Sequence, residues 1–199
     1  ISFSGTAKVR LALKLDEFGV DYIEGGYAGS NPKDMDFFRA IRGHTLRHAR
    51  VAAFGSTRRA HTPVGEDDNV LRLIESQAPV VTLVGKTSEL HVREVLRTTR
   101  EENLAMVRDT VRYLKEQGRE VLFDAEHFFD GYKADGEYAL TTLDAAVRGG
   151  ADTLALCDTN GGVLPDEIVS IIRTVRERTD CPLGIHAHND SGMGAANAV

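Results

Sequence analysis

Only two cysteines, Cys157 and Cys181, occur in 199 residues. That is too few for a disulfide framework. A reducing, cytoplasmic setting is expected, with both thiols packed and inert. No apolar run approaches the roughly 20 residues that span a bilayer, and the first residues lack a basic-then-apolar leader pattern, so neither a membrane span nor a secretory leader is expected. Basic tracts are missing too: net charge is −6 and the arginines come at most in pairs such as Arg58-Arg59, which excludes nucleic acid as the expected partner. No linker or low-complexity stretch divides the chain, so residues 1–199 read as one domain, with 60–69 as an exposed loop.

What is present is a regular alternation. Short β-branched or apolar runs at 20–24, 50–54, 80–84, 120–124, 153–157 and 183–186 recur about every 30 to 40 residues, the repeat of a strand plus a crossover helix. Between them lie amphipathic stripes: Leu104, Val107, Val111 and Leu114; Ile168, Ile171, Ile172 and Val175; and Ala7, Leu11, Leu15 and Phe18. Thr99 with Glu102 forms a capping-box pattern, Gly19 and Gly118 are helix stops, and Pro165 suits a first helical turn. Strict alternation calls for a parallel sheet. No Gly-rich dinucleotide fingerprint follows the first strand. Polar residues instead gather where many strands end, at Glu24, Ser56-Thr57, Lys86, Glu126, Asp158-Thr159, His186 and His188. Barrel enzymes distribute their chemistry this way, so a (β/α)8 barrel is expected, with about six of its eight strands visible and the first and last missing.

His186-Ala187-His188 is the sharpest local pattern. Residues two apart on a strand point the same way, so both imidazoles can meet one divalent ion such as Zn, Mn or Mg. Such an ion suits chelation of a 2-oxo acid. Asp124 and Glu126 share the spacing, and an apolar setting would raise a carboxylate pKa there and improve it as a general base; a salt-bridged charge is the plainer alternative. Thr159, in Cys157-Asp158-Thr159-Asn160-Gly161-Gly162, can donate to a substrate carboxylate while the glycines admit a ligand to the backbone, unless Asp158 simply caps a tight turn. Glu24 aims into the barrel mouth. Phe54–Arg59 offers hydroxyls and arginines to an anion, or is an ordinary solvated loop.

Taken together, these segments resemble the family of 2-isopropylmalate, homocitrate and citramalate synthases, related to hydroxymethylglutaryl-CoA lyase. The resemblance covers all 199 residues. The stretch 15–34 (LDEFGVDYIEGGYAGSNPKD) is similar to the citramalate synthase branch, as are FGSTRR, DAEHFFDGYKA, LCDTNGG and GIHAHND. It implies a barrel that condenses acetyl-CoA with a 2-oxo acid, pyruvate in that branch, giving citramalate for isoleucine biosynthesis. By position, His186 and His188 look like the metal-binding histidines and Glu126 like the acid–base glutamate. Thr159 matches the threonine that binds the oxo acid's carboxylate, and Glu24 the active-site glutamate of the second strand. A homodimer is implied at full length. The family's opening strand, with its Arg-(Asp/Glu)-Gly motif, its last strand and its regulatory domain are not in the sequence, so a partial catalytic domain is expected. The alternatives are the sister synthases, a related metal-dependent lyase or aldolase, and an inactive piece that only folds or associates.

Overall fold

The computed structural model describes residues 3–29 and 32–199; Ile1, Ser2, Ser30 and Asn31, the last two within the family-like stretch 15–34, lie outside them. Six strands run in chain order: β1 (Tyr22–Tyr27), β2 (Arg50–Ser56), β3 (Val80–Lys86), β4 (Glu120–Glu126), β5 (Thr153–Asp158) and β6 (Leu183–Ala187). All neighbours pair in parallel, in the order β1-β2-β3-β4-β5-β6. Around them lie α1 (Gly5–Phe18), α2 (Pro32–Ile41), α3 (Asp68–Glu75), the single turn α4 (Glu89–His91), α5 (Arg100–Glu116), α6 (Phe128–Ala134), α7 (Gly136–Gly149), α8 (Pro165–Arg178) and α9 (Gly194–Ala198).

The sheet is curled. In a flat sheet β1 and β4 would stand about 14 Å apart, three strand spacings. Yet Tyr22 on β1 donates to Glu120 on β4 at 2.6 Å. At the other end of the strands, Glu24 on β1 and His186 on β6 come within electrostatic reach of each other. Consecutive strands, external helices and this curvature make a partial (β/α)8 barrel, as the alternation predicts.

The helices wrap the convex side because the strands alternate. Val81, Leu83, Val121, Phe123, Ala125, Leu154 and Leu156 are fully buried and pack outward against Val107, Val111, Leu114 and the α7 and α8 stripes. Gly25 is needed for close approach: a Cβ there would lie 2.3 Å from the Phe37 ring of α2. Lys8 fastens the same corner, donating to the Gly25 carbonyl at 3.0 Å and pairing with Asp34.

Three local expectations change. The α1 stripe is rotated: Val9, Ala12 and Asp16 are buried, whereas Leu11 is 48% and Phe18 84% exposed. The helix packs mainly on α2 and β1, and β1 is the sheet edge among the described residues. Thr99 caps α5 through the Glu102 amide, but the Glu102 carboxylate turns away to Arg58 and the His61 amide. In the loop 60–69, Asp67 is buried, accepting from Arg59 and capping α3.

Asp16, only 5% exposed, accepts the backbone N–H groups of Arg47, His48 and Ala49 and so ties α1 to the entry of β2. Those bonds, Ala49's foremost, hold its carboxyl down at about 2, against the opposing effect of burial. A pKa below the unfolded value of about 3.9 means the contribution is whole above that value and disappears as pH falls towards 2. Asp16→Asn is therefore expected to lower Tm at pH 7, with the gap to wild type closing between pH 4 and 2; a gap independent of pH would refute this.

Candidate active site

The concave side carries the opposite residue set. With Ile23 and Gly25 turned to the helices, Glu24 faces inward; with Phe123 and Ala125 buried outward, Leu122, Asp124 and Glu126 line the barrel. On β5 and β6 the register sets Cys157 opposite His186. Ligand atoms of Asp124, Cys157 and His186 all fall within 4.8 Å of one another.

His186 and His188 are exposed at the end of β6, their ring centroids 5.1 Å apart and tilted by 42°. His186 Nδ1 lies 3.9 Å from Asp124 Oδ2, and His188 Nδ1 lies 3.8 Å from Asp190 Oδ2. The His188 amide bonds to the Asp158 carbonyl at 3.1 Å, which fixes the strand end beyond Ala187.

Three carboxylates crowd this end of the barrel. Burial, then the charges of Glu24 and Glu126, pushes the Asp124 carboxyl up to about 7. Glu24 is also raised, by desolvation against the wall, although Thr82 donates a hydrogen bond and His186 opposes the rise. Acidic groups held in a part-buried space beside two imidazoles suit a hard or borderline divalent cation. The residues therefore fit the metal that the sequence implies. Cys157 is buried, and burial followed by the Asp124 and Glu126 charges drives its thiol up, away from the reactive thiolate.

Glu126 is not in an apolar setting. Its carboxylate pairs with Lys86, directly opposite on β3, and Thr87 binds its carbonyl through both amide (3.3 Å) and hydroxyl (2.6 Å). The carboxylate raised by its surroundings is the neighbour Asp124. Thr159 Oγ1 accepts from the His127 amide at 2.8 Å, which leaves its own hydrogen available to donate.

The plainer reading holds for Asp158: it is 1% exposed and accepts from the Gly162 and Val163 amides as a turn cap. Gly161, at φ +62, meets protein: a Cβ would sit 2.9 Å from the His188 carbonyl. Arg58 is buried between Glu102 (2.7 Å) and Asp109 (3.2 Å), so its charge is already matched. Sequence reading missed Cys157 beside His186, and the stacking of His91 on His127 at 4.0 Å. The strand register would have found the first; nothing in the sequence indicates the second.

The HMGL-like family model matches residues 1–199. The (R)-citramalate synthase of Aquifex aeolicus is 54% identical over 200 residues, covering 100% of this chain and 38% of that protein. That of Geobacter sulfurreducens is 53% identical over 199 residues, with the same two shares. Among solved structures, the HMG-CoA lyase of Bacillus subtilis superposes with a TM-score of 0.80 at 17% identity, covering 99% of this chain and 66% of that one, a likeness of fold. The chain spans 38% of the length of these curated relatives.

Proposed function

The chain belongs to the HMGL-like family, and from that membership we propose that it supplies most of the barrel of an enzyme condensing acetyl-CoA with pyruvate to give citramalate and CoA. The observation that carries this reading is the convergence of Asp124, Cys157 and His186, with the His188 ring centroid 5.1 Å from that of His186 and Glu126 on the same face of β4 as Asp124. The 54% identity to an (R)-citramalate synthase supports pyruvate as the oxo acid within the family.

His186 and His188 would hold a divalent ion, which when bound supplies Lewis-acid polarisation of the 2-oxo acid's carbonyl. Thr159 donates its hydroxyl hydrogen to the oxo acid's carboxylate, its oxygen being steadied by the His127 amide. Glu126 takes a proton from the methyl group of acetyl-CoA, and the resulting enolate adds to the ketone. A thioester α-proton is a weak acid, so the developing negative charge needs a nearby positive group. Lys86, paired with Glu126, is placed to provide it. Glu24 lines the wall of the same space. Hydrolysis of the thioester completes the reaction. The full-length enzyme would act as a homodimer in the cytoplasm.

Turnover of acetyl-CoA with pyruvate, 2-oxoisovalerate and 2-oxoglutarate, followed by release of the CoA thiol, tests the reading. A preference for either longer oxo acid would overturn it. Thr159→Val gives a finer check. The lost contact exists in both ground and transition states, so KM for pyruvate should rise about 10-fold or more with little change in that for acetyl-CoA. A fall in kcat alone would remove Thr159 from the carboxylate.

A further inference from the structure

Glu126 is followed by a residue in a conformation that side chains other than glycine seldom adopt. His127 has φ 56 and ψ 31, in the left-handed region, and opens α6. Its ring lies on that of His91, with centroids 4.0 Å apart and planes within 18°. His91 ends α4, and a π turn at Val92–Leu96 follows, closed by Arg97 at φ 53. Strained backbone and π turns both gather at functional sites. Here they flank the ring contact between the segment after β3 and the segment after β4.

Neither ring is anchored by a hydrogen bond at Nδ1: both atoms are buried without a partner, and the nearest carboxylate to His127, that of Asp130, stands 3.8 Å away. Burial, then the His127 and Lys86 charges, lowers the His91 pKa, which favours the neutral ring for aromatic stacking. The stack, rather than a hydrogen bond at Nδ1, holds the two rings against each other. On the other side, the His127 amide reaches Thr159 on the β5 exit, while Thr87 grips the Glu126 carbonyl.

We propose that His91 and His127 are a stacked positioning pair that fixes the direction of Glu126 for proton transfer from the acetyl methyl group. This rests on the reading of Glu126 as the acid–base group. A displacement of about 1 Å at a reacting group can cost up to roughly 10²-fold in rate, so loss of the stack should be felt in kcat and not in substrate binding.

The test uses the full-length enzyme. His91→Ala is expected to lower kcat about 10-fold or more, with KM for pyruvate within about twofold and with slower exchange of acetyl methyl protons in deuterated solvent. His91→Phe keeps a flat ring and should recover most of both rates. His91→Leu fills the space without a flat face, remains informative if the alanine variant fails to fold, and should behave as alanine does. In a Glu126→Gln background, His91→Ala should add no further loss, because the pair acts through Glu126. Phenylalanine failing as badly as alanine would show that a nitrogen matters rather than the stack, and would overturn the proposal. So would multiplicative losses in the double variant. A Glu126→Gln enzyme with normal exchange overturns the reading beneath the proposal. A slow Glu126→Gln enzyme beside a normal His91→Ala enzyme overturns the proposal alone.

Discussion

Replacing His186 or His188 by alanine in the full-length enzyme should reduce turnover by about 10³-fold or more, with metal content falling in step. Losing an outer partner of a ligand already costs about 10–100-fold, and losing the ligand itself costs more. Both rings are exposed at the end of β6 and belong to no buried cluster among the described residues, so folding should survive. His188 is held in place by its backbone bond to Asp158, which alanine retains. Metal analysis on purified variants with matching circular dichroism decides the matter. An inactive variant with its full complement of metal would mean that the histidine serves the substrate directly.

The second large effect is expected at Glu126. Glutamine preserves its shape and the backbone bonds to Thr87, but it removes the carboxylate and the ion pair with Lys86. A general base contributes about 10²–10⁴-fold, so kcat should fall by about 10² or more while KM for pyruvate changes little. Exchange of the acetyl methyl protons, followed with an unreactive pyruvate analogue present, should slow equally. Intact exchange would move the proton transfer elsewhere, and Asp124, with its pKa near 7, is the next group to examine.

The strands were legible because each is a run of β-branched or small apolar residues bounded by breakers. β2 through β6 begin where the pattern puts them, and all but β6 run on about a residue or two into polar side chains that periodicity ignores. His186 and His188 were legible for the same reason, since spacing along one strand is local. What was hidden depends on distant partners. Asp124 acquires its raised pKa from burial and then from Glu24 and Glu126 on a curled sheet, and Arg58 loses its availability to two acids on α5. The α1 stripe misled because hydrophobic spacing shows which face a helix can bury, not which face its neighbours reach. The family-like segments carried the rest, placing Thr159 and Glu126 within one rim whose bonds only the structure displays.

The order of the strands also bears on how the chain is made. Among the described residues each strand pairs with those just before and just after it in sequence. A ribosome adding about 5–20 residues per second delivers one strand–helix unit every few seconds. Every unit after the first thus emerges beside a strand edge that is already formed, and no pairing among the described strands has to wait for a later segment. Growth can proceed as docking in sequence, with the exposed hydrophobic surface kept to one unit at a time. Among the described strands the acidic rim comes together when β6 brings His186, with His188 just beyond it, to face carboxylates laid down on β1 and β4.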